Sequence, residues 1–192
     1  MRNWLLFGLL ATSLSHADWQ LAPESELTFL STKNTSLTEI HRFRSLSGTL
    51  STTGQASLSI DLTSIDSGIP VRDERMQKFL FETSRFTQAT LTTVVDPEVL
   101  KKAAGGDIQR INLTGKLSLH GNEEDVNVPV LVVPASNGSI VVSSLQPVLI
   151  HAENFALAEG IRTLRDIAKL ETIAEVVPVS FTLTFAPVQQ QR

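Results

Sequence analysis

The sequence predicts a mainly β fold of about eight strands with one or two helices. Apolar and polar residues alternate one by one along most of the chain, as they do when successive side chains of a strand point to opposite faces. Two segments replace this alternation with the three-and-four spacing of a helix. A sheet of this size must cover its apolar face against a second sheet or by closing into a barrel, and alternation alone does not distinguish these.

The strand pattern is clearest in three segments. Residues 57–62 alternate without exception, residues 179–185 place bulky apolar side chains opposite hydroxyls, and residues 111–120 continue the pattern beyond the mean strand length. The pair Gly105-Gly106 predicts a turn between strands, and Asn137-Gly138 predicts a hairpin turn. Weaker alternation predicts strands over residues 26–33, 37–43, 45–50, 89–95, 126–133 and 139–150.

Two helices are predicted from apolar spacing. The first covers residues 72–81, and the apolar residues that share one face are Met76, Phe79 and Leu80. The second covers residues 161–177, where apolar residues fall on one side and basic residues on the other, and Pro178 ends it.

Composition excludes several classes of function. The chain has 192 residues and no cysteine, so it contains no disulfide, thiolate metal site, cysteine nucleophile or covalently attached c-type haem. Acidic residues outnumber basic ones by 20 to 16, and the net charge of −4 does not attract nucleic acid. The nucleophile elbow Gly-x-Ser-x-Gly, a glycine-rich phosphate loop and His-Glu-x-x-His are all missing from the sequence. We therefore expect neither a nucleic-acid partner nor a catalytic site built on these motifs.

Residues 1–17 have the pattern of a cleavable secretory signal. A short basic start precedes an apolar stretch at residues 4–14, and small residues stand at Ser15 and Ala17, where signal peptidase reads the chain. The apolar stretch is about half of the ~20 residues that a membrane-spanning helix needs. We expect cleavage after Ala17 and one exported domain over residues 18–192.

The apolar face of the strands indicates what an interior would accept. It is rich in Leu, Ile, Val and Phe, and the chain has 2 Trp and no Tyr, so few donors are available to select a sugar, nucleotide or peptide. A ligand held there is expected to be a hydrocarbon. The alternative is a solid core, because native interiors pack densely.

An ordered set of short motifs resembles one known family. Residues 72–76, followed by Phe79 and Phe81, resemble its motif of arginine, aspartate, glutamate, histidine, leucine and then phenylalanines. Residues 113–121 resemble its strand of threonine-glycine, hydrophobic residues and histidine-glycine. The chain is therefore similar to the YceI-like family of exported, polyisoprenoid-binding proteins over nearly all of residues 18–187. Further segments in the expected order are 19–29, 43–48, 65–68 and the closing strand.

The resemblance implies a lipocalin-like antiparallel β-barrel, closed partly by helices, around an elongated apolar tunnel. The implied ligand is an isoprenoid quinone or a similar long-chain lipid, and no other cofactor is expected. Arg75 stands where the family commonly has histidine, and residues 122–125 are more acidic than the usual threonine and lysine. Both departures leave the fold unchanged and concern contacts to a ligand headgroup.

Large apolar side chains are the candidates for lining the tunnel, although sequence does not separate lining from core. They are Phe29, Phe43, Met76, Phe79, Leu80, Phe81, Phe86, Leu117, Leu119, Phe155, Leu164 and Phe181. Polar candidates for the barrel mouth are Arg72, Asp73 and His120. Arg72 and Asp73 either contact a headgroup or form a fixed pair that closes the mouth, and we favour the pair because arginine matches carboxylates well.

No metal site is predicted, because His41, His120 and His151 lie too far apart along the chain for local ligand spacing. The basic stripe of the second predicted helix fits a solvated face, and transient membrane contact is the alternative. Its residues are Arg162, Arg165 and Lys169. A homodimer is plausible for the family, but no interface can be identified from the sequence.

Three functions remain open from the sequence. The favoured one is a periplasmic carrier or store of an isoprenoid or fatty lipid that performs no chemistry. A second is an enzyme of the same shape, acting on a lipid or quinone at the mouth through His120 or residues 73–74. A third is an interaction module for envelope stress with a filled interior. An internal void would separate the first from the third.

Overall fold

The computed structural model describes residues 18–188, and the predicted signal at residues 1–17 lies outside them. The described residues form a closed antiparallel β-barrel that is eight strands around, as predicted, with three α-helices. The strands are β1 (Trp19–Leu21), β2 (Glu26–Lys33), β3 (Leu37–Phe43), β4 (Leu46–Leu50), β5 (Gln55–Asp61), β6 (Ile65–Asp66), β7 (Gln88–Val94), β8 (Gln109–Leu119), β9 (Asn122–Pro134), β10 (Ile140–Ser144), β11 (Val148–His151) and β12 (Val176–Pro187). The helices are α1 (Pro70–Arg75), which continues as one π-helical stretch over Met76–Leu80, α2 (Pro97–Ala104) and α3 (Ala158–Ala168).

Consecutive short strands share positions in the barrel wall. Four of the eight strand positions around the barrel are each occupied by two short strands, one after the other. These pairs are β1 with β2, β3 with β4, β5 with β6, and β10 with β11. Each position pairs with the next one along the chain, which makes the wall an antiparallel meander. The long strand β12 closes it, because it pairs with β10 and β11 on one edge and with β1 and β2 on the other.

Alternation along the strands determines which side chains face inward. In β3, Phe43 and His41 are buried while Ile40 and Arg42 are exposed. The fully buried Val130 of β9 stands between partly exposed neighbours, as the period of two requires. The inward face of the wall is therefore almost wholly apolar.

The two ends of the barrel carry different helices. Because the strands alternate in direction, α1 and α3 lie at the same end as the hairpin at residues 34–36, and α2 lies at the opposite end. We call these the α1/α3 end and the α2 end. None of the helices within residues 18–188 is long and apolar enough to cross a bilayer.

Three local predictions were wrong. The predicted strand 139–150 is two strands, because the ladder is interrupted at residues 145–147, where Pro147 has no N–H to donate. The glycines at 105–106 do not join two strands but follow the end of a helix. This helix, α2, was not predicted from the sequence. The predicted helix 161–177 also ends early.

The second predicted helix begins and ends before its expected bounds. It covers Ala158–Ala168, and Lys169 adopts a left-handed conformation, with φ of 54°, that terminates it. The residues that follow extend along the tip of β2, where the N–H of Asn34 donates to Thr172 and the N–H of Ala174 donates to Thr32. Tertiary pairing therefore overrides the local helical pattern. The first predicted helix, 72–81, is confirmed with a shift of one or two residues, and so is the hairpin turn at 137–138.

Candidate functional site

The barrel encloses an apolar cavity of about 150 Å³ toward the α1/α3 end. Every residue of its lining is apolar, and side chains from the wall are joined by side chains from the helical end. The lining residues are Leu27, Phe29, Phe43, Leu58, Ile60, Leu62, Leu80, Phe81, Ala89, Leu91, Leu117, Leu119, Val126, Val128, Val148, Ile150, Ala152, Leu157, Ile161, Val177, Val179 and Phe181. An apolar void of this size stays dry and favours apolar guests.

A second cavity of about 70 Å³ lies toward the α2 end. Leu100 of α2 contributes to its lining, together with mostly apolar wall residues such as Ile111, Leu183 and Phe185. The prediction of an unfilled apolar interior therefore agrees with the structure, and the solid-core alternative does not.

Many of the predicted tunnel residues line the larger cavity. They are Phe29, Phe43, Leu80, Phe81, Leu117, Leu119 and Phe181. The remaining candidates lie elsewhere: Met76 and Phe155 are buried in the core, and Leu164 packs against it from α3. Phe79 lies beneath the ammonium group of Lys78, and Phe86 packs on His120 and Arg85.

The residues that sequence reasoning missed are mainly small and aliphatic. Leu58, Leu91, Val128 and Val179 line the cavity together with the phenylalanines. Each occupies an inward position of an alternating strand, so the period-two pattern contained the signal. Phenylalanines made up most of the predicted lining, and the predicted leucines all lie within residues 72–81, 111–120 and 161–177.

Arg72 and Asp73 do not pair with each other, contrary to the sequence prediction. Arg72 Nε donates to Ser67 Oγ at 2.8 Å, Nη2 donates to the Ser67 carbonyl at 2.6 Å, and Nη1 donates to Glu39 at 2.6 Å. Asp73 accepts from the Ser67 N–H at 2.9 Å. Both residues therefore attach α1 to the loop after β6 through Ser67.

Inward-facing charges gather at the α1/α3 end. Glu39 pairs with both Lys33 and Arg72, and the hydrogen bond from Lys33 lowers the pKa of the Glu39 carboxyl. We call Lys33, Glu39, His41 and Arg72 the mouth cluster. Composition and motifs identified Arg72 alone, because the inward register of β2 and β3 was needed to find the others.

His41 belongs to this cluster and is 1% exposed. Its ring meets Phe29 edge-on at 5.3 Å, and Nδ1 has no hydrogen-bond partner among residues 18–188. Burial, followed by the positive charge of Arg72, lowers the pKa of His41. A neutral imidazole therefore adjoins the apolar lining at Phe29 and Phe43.

His120 has a structural environment. It occupies the β8–β9 turn with φ of 51°, its Nδ1 lies 3.2 Å from the Phe155 carbonyl oxygen, and its ring packs on Phe86 at 4.5 Å. His151 is exposed at the end of β11. Over residues 18–188, no three His, Asp or Glu side chains lie close enough together to hold a metal ion.

Two further charged groups lie on the outside of the barrel. Asp66 accepts from Arg42 Nε at 2.9 Å and from Arg44 Nε at 3.0 Å, and these bonds, led by that from Arg44, lower the pKa of the carboxyl. On α3, Arg162 pairs with Glu159 and Arg165 with Asp166, so acidic neighbours partly neutralise the basic stripe.

Comparisons with known proteins agree with this architecture. A polyisoprenoid binding domain from Saccharophagus degradans, implicated in plant cell wall breakdown, is 39% identical with a TM-score of 0.85, over 90% of this chain and 100% of that chain. BcnA from Burkholderia cenocepacia is 24% identical with a TM-score of 0.65, over 84% of this chain and 96% of its own, and shares the fold. A YceI protein from Campylobacter jejuni shares it at 16% identity and a TM-score of 0.50, over 78% and 85%.

A comparison with curated proteins found no match. The model of the YceI-like domain matches residues 19–185, nearly all of the part of the chain that the structure describes. The chain therefore belongs to the YceI-like family.

Proposed function

We propose that this protein binds an amphiphilic isoprenoid, such as a quinone-like lipid, or another long-chain lipid inside the barrel, and that it transports or stores this lipid in the periplasm. The observation that carries the proposal is the all-apolar lining of the larger cavity. The relative from Saccharophagus degradans is a polyisoprenoid binding domain. The signal-like residues 1–17 support export.

Burial of a hydrocarbon chain supplies enough free energy for this function. Each buried methylene contributes about 0.8 kcal/mol, so ten contribute about 8 kcal/mol before the costs of association and ordering. Micromolar affinity corresponds to about 8 kcal/mol, and association costs about 4–15 kcal/mol. A chain of roughly 15–30 buried methylenes therefore binds in that range. No hydrogen bond to the tail is needed, so the protein recognises the tail by its size and apolar surface alone.

The cavity must widen for a ligand of that length. At about 150 Å³ it matches a void that holds a ring the size of benzene, whereas pockets for larger ligands have about 300–1,000 Å³. Leu and Phe side chains dominate its lining and can change rotamer without breaking a hydrogen bond. We infer that the lipid enters by displacing side chains and not by filling a preformed tunnel.

The mouth cluster supplies the polar end of the site. Its charged groups and the unpartnered Nδ1 of His41 lie at the α1/α3 end, next to Phe29 and Phe43 of the lining. An amphiphile with its tail in the cavity would place its headgroup here. The interior would thus orient a lipid tail-inward from this end.

Nothing in this function requires a chemical step, and the family likeness favours a binding protein over an enzyme. Two groups that an enzyme would use at the mouth have structural contacts. Asp73 accepts from the Ser67 N–H, and His120 Nδ1 lies against the Phe155 carbonyl.

The test is lipid capture by the full chain expressed in a bacterial host. We expect native mass spectrometry to detect a long-chain lipid on the purified protein, and delipidated protein to take up added prenyl quinone. Leu117→Gln places an amide in the cavity and should reduce uptake at least tenfold. Lys116→Gln on the same strand is the control, because Lys116 faces outward and pairs with Asp125.

Empty protein that takes up no quinone would contradict the binding proposal. Location has a separate test. Cell fractionation should recover the protein in the periplasm, and its intact mass should correspond to a chain beginning at Asp18. A cytoplasmic product that retains residues 1–17 would overturn the periplasmic part alone.

A further inference from the structure

The two cavities are chambers arranged in series along the barrel axis. Along β8, Leu117 and Leu119 line the larger chamber, and Ile111 and Leu113 line the smaller one. Along β12 the same order holds, because Val179 lines the larger chamber and Leu183 and Phe185 line the smaller. The chambers therefore lie end to end between the α1/α3 end and the α2 end.

Three side chains line both chambers and so stand between them: Leu58, Leu91 and Phe181. Leu58 and Leu91 are direct cross-strand partners on β5 and β7. Phe181 reaches the same level from β12. All three contacts are apolar, so no hydrogen bond holds the barrier shut and its resistance is one of packing alone.

Gly115 of β8 sets the position of Leu91. It lies between the lining residues of the two chambers, and a Cβ atom there would be 2.8 Å from Leu91 Cδ1. The absence of a side chain lets Leu91 lie back against the wall. The same Cβ atom would lie 3.1 Å from the Thr92 carbonyl oxygen, which belongs to the backbone and cannot move as easily as a side chain. An alanine at this position would therefore push the flexible end of Leu91 toward the lumen.

We propose that Leu58, Leu91 and Phe181 form an internal partition that sets the chain length of the bound isoprenoid. This inference rests on the proposed function. A chain that enters at the α1/α3 end fills the larger chamber first. A longer chain gains further contacts only by moving the Phe181 ring aside to reach the smaller chamber.

The consequence is a break in the dependence of affinity on chain length. Within a chamber, each buried methylene raises affinity about fourfold. At the partition the increment falls, because the next carbons must displace packed side chains before they are buried. Affinity should therefore rise steeply with the number of isoprene units and then level off.

The experiment measures dissociation constants for prenyl quinones that share one headgroup and differ by single isoprene units. Wild-type protein should show the break. Phe181→Ala joins the chambers and should move the break to longer chains, with at least a tenfold gain for the chain just beyond the wild-type limit. Gly115→Ala should leave shorter chains bound within threefold and weaken that same longer chain at least tenfold.

Phe155→Leu is the matched control, because Phe155 is 2% exposed but lines neither chamber. It should lower stability without moving the break, and thermal unfolding confirms that each variant is folded. Leu91→Ala replaces Gly115→Ala if the latter does not fold, and it should act in the same direction as Phe181→Ala.

The result that overturns the partition is a break at the same chain length in the wild type, Phe181→Ala and Leu91→Ala, or no break in the wild type. These results leave the proposed function intact, because chains still bind. Absence of binding at every chain length would instead overturn the proposed function and the partition with it.

Discussion

Gly160 is the residue at which α3 approaches the helical segment after α1 most closely. A Cβ atom there would lie 2.5 Å from the Phe79 carbonyl oxygen and 2.8 Å from Leu80 Cα, and real Cβ contacts essentially never fall below 3.0 Å. Both opposing atoms are backbone, so rotation of a side chain cannot relieve the clash. Gly160→Ala must separate the two helices that cover the α1/α3 end.

The size of the effect follows from two opposing contributions. Overpacking at a close contact costs about 1–3 kcal/mol, whereas replacing glycine by alanine within a helix returns up to about 1 kcal/mol. We expect a net loss of about 1–2 kcal/mol in the free energy of unfolding. For a domain of this size each kcal/mol lowers Tm by about 2–4 °C, which gives a decrease of roughly 2–8 °C.

Urea denaturation at equilibrium measures this loss, with Gly105→Ala as the matched control. Gly105 ends α2 with negative φ, and its nearest contact to a new Cβ would be 3.3 Å, to the Lys102 carbonyl oxygen. The control should stay within about 0.5 kcal/mol of wild type. A Gly160→Ala variant as stable as the control would refute the close helix packing inferred here.

Three further predictions concern His41, Asp66 and Gly121. The pKa of His41 is lowered below its ordinary value of 6.5 in the folded state, so the unfolded chain binds the proton first and wild-type stability should fall as pH drops below 6.5. Denaturation at stepped pH should show a shallower loss of stability for His41→Leu than for wild type, and an equally steep loss would contradict the assignment. The pKa of Asp66 is also lowered, from 3.8, chiefly by Arg44, so its ionised form stabilises the protein above that pH, and acid titration of Asp66→Asn should show less loss of stability below pH 3.8 than wild type. Gly121 has φ of 78° and a new Cβ would lie 3.0 Å from the Phe86 ring, so Gly121→Ala should lose about 1–2 kcal/mol in urea denaturation, and a neutral result would contradict the strain argument.

Strand positions could be predicted where a polar turn marked the ends of the strands, even when the alternation was weak. The ranges 26–33 and 37–43 coincide with β2 and β3, because a half-buried strand repeats every two residues and a polar turn separates them. The range 139–150 failed for a physical reason. Alternation indicates which face of the sheet a side chain occupies, but not whether the backbone keeps its hydrogen bonds to the neighbouring strand. The backbone loses these bonds near Pro147.

Helices were harder to predict because they are short and depend on the barrel for support. The segment after Lys169 kept a helical spacing but pairs with the tip of β2. Helix α2 was missed although its start was visible: Asp96 accepts from the Glu98 N–H as an N-cap and Pro97 holds the first helical position. Val99, Leu100 and Ala103 also have helical spacing, so the signal was present in the sequence.

The candidate site could be predicted as a chemical class but not as a geometry. An oily interior followed from the composition of the inward face, and Phe29, Phe43 and Phe181 do line it. Which apolar residue lines a void and which fills the core depends on the level of each residue along the barrel. That level is set by the offset of neighbouring strands along the barrel axis, and local alternation does not indicate this offset. His41 was therefore considered only as a metal ligand or an acid-base group, although it follows the inward register of Phe43.

The closing role of β12 has a consequence for how the molecule is made. Until residues 176–187 are available, the edges formed by β1 and β2 and by β10 and β11 have no partner, and the oily inner wall stays open to water. A polypeptide that emerges from its amino end therefore forms nearly all of the hydrogen-bonded wall before β12 can close the barrel. Contacts between distant parts of the chain form last, which slows folding and prolongs vulnerability to aggregation. Biogenesis, as much as binding, depends on this final segment.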